Sequence, residues 1–178
     1  MHRSFLGDSY DIVKRFWGER LAKIAPLIAH PRFVPREIRR EFELIVGIPI
    51  LHEGRTPSKF GLFLDPDTGI PLPTSVAQTA TVTHAPISFI ANELERLAPR
   101  CLICFDQSHD RHCGHSKPEQ RQMKLGALRA KEIACMYYVS HAPFLFAARD
   151  ELDLNAIRTG LVESGIPDWR FERPLGTN

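Results

Sequence analysis

Aspartates follow short apolar segments at three places in the sequence. They are Asp8 and Asp11, Asp65 and Asp67, and Asp106. The segments before them, at residues 3–6, 61–64 and 101–105, are predicted strands. The carboxyl ends of parallel strands meet at one edge of a sheet, where ligands collect in α/β folds. Carboxylates that lie close together repel one another unless a cation neutralises them, and their oxygens suit magnesium. The five aspartates are therefore predicted magnesium ligands.

Three further side chains near these aspartates have the chemistry of catalytic groups. Lys14 follows Asp11 by about one helical turn, and its ammonium could neutralise charge that develops on a phosphate. Gln107 and His109 follow Asp106 and could orient a water molecule. With the metal, these residues predict a magnesium-dependent hydrolase that cleaves a phosphodiester in nucleic acid or in a nucleotide. The alternative is a non-catalytic Rossmann-like module that binds a nucleotide or a protein partner.

Each acidic segment also has a purely structural interpretation. Asp8 can cap a helix, while Asp11 interacts with the positive end of that helix and pairs with Lys14 in solvent. The Asp-Pro-Asp-Thr-Gly stretch at residues 65–69 has the composition of a turn, so residues 62–72 could form a hairpin. Residues 106–109 could be a polar loop. The sequence leaves both interpretations of each segment open.

The cysteines argue against a zinc site. Cys101 and Cys104 lie three apart in a predicted strand, so their side chains point to opposite faces and cannot readily share an ion. Four cysteines at irregular spacing also give no disulfide framework in a chain long enough to form a core, and reduced thiols are expected. Farther along, Ser140 and His141 stand at a predicted strand end. There they either border the same cleft as the aspartates or form a turn.

Three segments of the chain, at residues 7–14, 62–69 and 105–107, carry a resemblance to known proteins. As an ordered set they resemble uncharacterised bacterial proteins with a Gly-Asp-x-x-Asp-x-x-Lys start and an Asp-Pro-Asp-x-Gly strand end. This resemblance implies no activity. The start is also similar to that of ribosomal-RNA adenine methyltransferases, which pair Gly-Asn-x-x-Asp-x-x-Lys with an Asp-Pro-Pro-Tyr motif. In this chain Asp67 and Thr68 stand where that motif has Pro-Tyr. Residues 62–68 further resemble the nucleophile motif of haloacid-dehalogenase-like phosphatases, with Lys117 as the counterpart of their later lysine.

The elements that must position these residues are predicted from apolar spacing. Helical spacing predicts helices in residues 12–28, 35–47, 87–98, 123–128 and 154–162. Pro26 and Pro31 disturb or end the first helix, and Asp153 can cap the last. Apolar runs predict strands in residues 3–6, 61–64, 101–105, 134–139 and 144–147. Strands that alternate with helices predict a three-layer Rossmann-like α/β sheet with helices on both faces.

Length and composition fit one ordinary globular unit. The 178 residues suit a single α/β domain over 1–178, with 43% apolar and 25% charged residues. The net charge of +2 permits a phosphate-rich partner without arguing for one. No apolar run reaches the roughly 20 residues of a membrane span, and the start lacks the apolar core of a secretion signal. We expect a cytoplasmic protein that does not bind membranes.

Overall fold

The structure is a computed structural model that describes residues 6–52, 59–75 and 79–176. Its first regular element is helix α1 (Ser9–Leu21), for which Asp8 is the amino-terminal cap. The predicted strand at residues 3–6 lies outside the described residues, except for Leu6, which is in a turn. The prediction of one helical segment up to residue 28 is wrong. Pro26 has no N–H group to donate, and the apolar residues after it form strand β1 (Leu27–Ala29).

The remaining helices confirm the predicted positions. Helix α2 follows a 3₁₀ turn and ends at Gly47, whose φ of 73° favours glycine. The bounds are Arg39–Val46 for α2, Ile87–Leu97 for α3, Lys117–Arg129 for α4 and Glu151–Glu163 for α5. The predicted cap of α5 is wrong by three residues. Asp150 is the cap, and it accepts a hydrogen bond from the N–H group of Asp153, which already lies in the first turn.

Six strands form one mixed sheet in the order β1-β2-β3-β5-β4-β6. The five after β1 are β2 (Gly61–Leu64), β3 (Cys101–Phe105), β4 (Ala134–Tyr138), β5 (Phe144–Ala148) and β6 (Phe171–Glu172). Strands β1, β2 and β3 pair in parallel, and β5 runs antiparallel to both β3 and β4. Consequently β4 points the same way as β3, so the carboxyl ends of β1 to β4 lie at one edge.

The two faces of the sheet carry separate cores, which gives the three layers. Phe63 and Ile103 point into one core, together with residues of α1, α2 and α5. Leu62 and Leu102 point into the other, together with residues of α3 and α4. This alternation follows from the two-residue repeat of a strand, and burial on both faces explains why β2 and β3 are continuous apolar runs.

Strand β2 settles the question of a hairpin at residues 62–72. Both neighbours of β2 are parallel to it, so the hairpin interpretation is wrong. Residues 67–69 instead run beside residues 82–84, where the N–H of Thr68 donates to the carbonyl of Thr83 at 2.9 Å. In the described part of the chain, no helix combines the length and apolar character needed to cross a membrane.

Candidate functional site

The edge formed by the carboxyl ends of the strands carries the polar residues of the candidate site. Asp65 follows β2 directly and Asp106 follows β3 directly, and both side chains are buried. Ser140 and His141 lie in the turn that connects β4 to β5. The amino terminus of α1 approaches the same edge, because Asp8 and Asp65 line one cleft.

Lys14 joins two carboxylates inside the protein. Its Nζ donates to Oδ1 of Asp11 and to Oδ2 of Asp65, each at 2.9 Å, and all three residues are buried. The other oxygen of Asp11 accepts a hydrogen bond of 2.7 Å from the N–H of Gly7. The ammonium also lies 5.2 Å from the ring centroid of Phe105. A single lysine is therefore hydrogen-bonded to two of the aspartates that the sequence predicted as magnesium ligands.

Burial and these ion pairs shift the pKa of both partners. Burial alone would lower the pKa of Lys14, but the two carboxylates outweigh it and raise that pKa above its usual 10.5. Burial raises the pKa of Asp65 above its usual 3.8, and Lys14 offsets only part of that increase. Lys14 therefore remains charged, and Asp65 takes up a proton more readily than an exposed aspartate does.

Asp106 is the centre of a second buried network. Its Oδ1 accepts hydrogen bonds from the N–H groups of Ile70 and Ser108 and from the Ser108 hydroxyl, at 2.9, 3.1 and 2.6 Å. Its Oδ2 accepts from Lys124 Nζ and from the Tyr137 hydroxyl, both at 2.7 Å. Burial and the adjacent carboxylate raise the pKa of Tyr137 well above its usual 10.0, so its hydroxyl stays protonated as a donor. The carboxylate is thus held in one orientation by five donors.

Gly69 allows the loop after β2 to reach Asp106. Its φ is 121°, a conformation that other residues rarely adopt. A Cβ atom at this position would clash with Oδ1 of Asp106 and lie 2.8 Å from its Cα. The absence of a side chain therefore lets the N–H of Ile70 bind the carboxylate.

Two adjoining clefts open at this edge, and together we call them the double cleft. The larger has a volume of about 290 Å³ and is bordered by α4, the end of β3 and the β4–β5 turn. The smaller has a volume of about 170 Å³ and is bordered by the start of α1 and the loop after β2. Tyr10 and Gln107 line both clefts and mark their boundary.

The two clefts differ in the sign of their charge. Three basic side chains and one carboxylate line the larger cleft: Lys117, Arg121, Lys124 and Asp106. Three carboxylates and one ammonium line the smaller cleft: Asp8, Asp65, Asp67 and Lys14. The larger cleft therefore favours anions, and the smaller one favours cations.

A third cleft lies on the other side of Ser108. It has a volume of about 180 Å³, and His109 and Gln120 are among its lining residues. The buried side chain of Gln120 orders the loop there, because it accepts from the N–H of Asp110 and donates to the carbonyls of Asp110 and His115. His109 is thus separated from the aspartates of the double cleft.

The predicted site residues divide into four groups. Five of them line the smaller cleft: Asp8, Lys14, Asp65, Asp67 and Gln107. Asp106 lines the larger cleft, and Asp11 lies behind Lys14 and lines neither. His109 lines the third cleft and neither part of the double cleft. The sequence left open whether Ser140 and His141 border a cleft or form a turn. They lie in a turn, and this turn also borders the larger cleft.

The aspartates do not form a complete metal cage. Among the residues that the structure describes, no group of three or more His, Cys, Asp or Glu side chains is arranged to hold a metal ion. Asp106 already accepts five hydrogen bonds, and Asp11 is bound to Lys14 and Gly7. A cation in the smaller cleft would therefore need most of its ligands from water or a bound molecule. Magnesium commonly binds in that way, with one or two carboxylates and phosphate oxygens.

Sequence reasoning missed Arg121 and Lys124 of α4, and it named Lys117 only through the phosphatase resemblance. Lys124 is 1% exposed and lies on the same helical stripe as the buried residues Gln120 and Leu128. The sequence does contain a signal, because Gln120, Lys124 and Leu128 follow one another at four-residue spacing. Polar residues in line with a core leucine indicate side chains that face the protein interior. Lys117 and Arg121 flank this stripe and face the larger cleft.

No protein family, curated protein or solved structure matches this chain. The fold and the double cleft define an α/β protein with a three-layer Rossmann-like sheet. Its polar cleft lies at the carboxyl ends of the strands, where such folds bind ligands.

Proposed function

We propose that the protein is a magnesium-dependent hydrolase that cleaves a phosphodiester in a nucleotide or in nucleic acid, with the double cleft as its active site. The proposal depends on the opposite charge of the two adjoining clefts. Phosphate suits the basic side chains of the larger cleft, and a metal cation suits the aspartates of the smaller one. A phosphorylated ligand that carries magnesium presents both charges side by side.

In this proposal Asp65 and Asp67 hold the metal, and oxygens of the substrate and of water complete its coordination. The ion, when bound, neutralises charge on the phosphate. Lys14 fixes one oxygen of Asp65, and Gln107 at the boundary of the clefts orients the attacking water. Asp11 and Asp106 are positioning residues here, because each holds a lysine in place.

Metal binding is tested with manganese, because its electron paramagnetic resonance signal reports binding without any turnover. We expect ADP to promote manganese binding to the protein. Asp67→Asn should weaken that binding by about tenfold or more, equivalent to ~1.4 kcal/mol. Asp67 is exposed, so the variant should fold. Glu163→Gln, at the exposed end of α5, is the matched control and should bind manganese as the wild type does.

Hydrolysis is tested with bis(4-nitrophenyl) phosphate and short dinucleotides in the presence of magnesium. Cleavage should require the ion and should be lost in Asp67→Asn while Glu163→Gln retains it. If the wild type binds neither manganese nor nucleotides and cleaves no phosphodiester, the proposal is wrong.

The second candidate function is nucleotide binding without catalysis. It is favoured by the buried ion pairs of Lys14 and Lys124, which satisfy both ammonium groups within the protein. Calorimetric titration with ADP and magnesium separates the two candidates. Binding with no product after prolonged incubation supports this second function, and release of product supports the hydrolase.

A further inference from the structure

The larger cleft has two unlike walls. One is the face of α4 that presents Lys117, Arg121 and Lys124, which lie four and three residues apart and so share one side of the helix. Lys117 is exposed and makes no ion pair within the described part of the chain. Arg121 pairs with Glu172 at 2.8 Å, outside the cleft lining. Lys124 is paired with Asp106, so the exposed ammonium of Lys117 is the main site on this wall for an added anion.

The second wall carries two aromatic side chains. It is formed by Tyr10 from α1 and by His141 and Pro143 from the β4–β5 turn. The ring of Tyr10 packs 5.4 Å from that of Phe105, which fixes its position. The ring of His141 lies 6.3 Å from that of Tyr10, with the two planes inclined by 34°.

The two rings form a tilted aromatic pair at the rim of the cleft, since direct ring contacts have centroids roughly 4.5–7 Å apart. Together they offer an aromatic surface to a flat ligand in the larger cleft. His141 is exposed, so its ring is open to such a ligand. Heteroaromatic bases stack on such side chains in proteins that bind nucleic acids and nucleotides.

Gln107 adds a group that can recognise the edge of a base. Its side chain is exposed at the boundary of the two clefts, beside Tyr10. The amide offers both hydrogen-bond donors and an acceptor, as the edge of a nucleobase does. An aromatic wall, an amide and a row of cations thus lie within a single cleft.

We infer that the larger cleft is a mononucleotide subsite, in which the base stacks on the rings of Tyr10 and His141 and the phosphates lie along α4. The inference rests on the proposed function and narrows its substrate to a nucleotide recognised through its base.

The test compares three probes by calorimetry with the wild-type protein and magnesium: ADP, ribose 5-diphosphate and pyrophosphate. ADP should bind at least about fivefold more tightly than ribose 5-diphosphate, which lacks only the base, and fivefold is the lower limit for one stacked base. His141→Ala and Tyr10→Ala should each remove most of this preference, whereas Tyr10→Phe should keep it because the ring remains. His112→Ala, at an exposed histidine that lines none of the clefts described, should have no effect.

The outcomes separate this inference from the proposed function. If pyrophosphate binds with magnesium but ADP binds no better than ribose 5-diphosphate, the base subsite is wrong and the hydrolase proposal stands. If ADP and pyrophosphate both fail to bind, the base subsite is wrong, and the manganese and cleavage assays decide the hydrolase proposal. Should Tyr10→Ala fail to fold, the exposed His141→Ala decides, because an unchanged preference in that variant overturns the inference.

Discussion

Nζ of Lys124 lies 2.7 Å from Oδ2 of Asp106, and both side chains are buried. The pair connects the middle of α4 to the end of β3 and thereby fixes one side of the larger cleft. An ion pair in such a place is costly to break, because removal of one partner leaves the other charge buried without compensation.

Lys124→Met tests the strength of this connection. We expect the free energy of unfolding to fall by about 3 kcal/mol, the lower end of the range for broken buried pairs, because Asp106 keeps its other donors. Guanidinium denaturation measures the change. Lys117→Met removes an exposed lysine of the same helix and should change stability by less than about 0.5 kcal/mol. Equal effects of the two substitutions would contradict a structural role for the pair.

The raised pKa of Asp65 predicts how stability depends on pH. In the unfolded chain the Asp65 carboxyl has its usual pKa of 3.8. In the folded protein its pKa is higher, so the carboxyl keeps its proton up to a higher pH. Above 3.8 the native state therefore binds more protons, and the contribution of Asp65 to stability decreases as pH rises through the folded-state pKa. Asp65→Asn lacks this titration. The unfolding free energy of the wild type minus that of Asp65→Asn should therefore decrease as pH rises above 3.8.

Glu119 provides a control of the opposite sign. Hydrogen bonds from the Ser116 hydroxyl and N–H lower its pKa in the folded state, as part of the cap of α4. Its contribution to stability is therefore present above the unfolded pKa and is lost as pH falls. The difference between wild type and Glu119→Gln should become more favourable with rising pH. If the two differences in unfolding free energy, for Asp65→Asn and for Glu119→Gln, change in the same direction with pH, the pKa of Asp65 is not raised in the folded protein.

The sequence predicted those elements whose signal is local. Strand β3 is a continuous apolar run because both of its faces are buried, and α5 has a clear apolar stripe. Strand β1 was missed because three residues after Pro26 carry no periodicity of their own and continue the helical spacing of α1. Strand β6 has two half-buried residues, and only its pairing with β4 defines it.

The candidate site was predicted only in part, again because the sequence reveals local signals and not tertiary contacts. Aspartates at strand ends are visible in the sequence, and Asp65 and Asp106 do lie at one edge of the sheet. Their lysine partners were not all visible. Lys14 pairs with Asp65 over 51 positions and Lys124 with Asp106 over 18, so both contacts depend on tertiary packing. Charge balance inside a fold is a property of the packed structure, and no local pattern encodes it.

Thiol reactivity gives a direct test of burial in both cores. Three cysteines are buried, and burial raises the pKa of Cys101 and Cys135 to about 12 and that of Cys104 well above 9.0. Cys113 is partly exposed. Ellman's reagent should therefore modify one thiol rapidly in the native protein and four after denaturation. Cys113→Ser should abolish the rapid reaction, and rapid modification of a second thiol would contradict the packing around β3 and β4.

Gly69 and Gly126 should respond to alanine in opposite ways. Alanine at 69 introduces a Cβ atom against Asp106 in a backbone conformation that disfavours side chains, so Gly69→Ala should destabilise the protein by ~2 kcal/mol or more. Gly126 is exposed in α4 with open space around it, and Gly126→Ala should stabilise by about 0.5–1 kcal/mol. Urea unfolding of both variants measures this. A neutral effect at Gly69 would show that the loop after β2 does not approach Asp106 as closely as described.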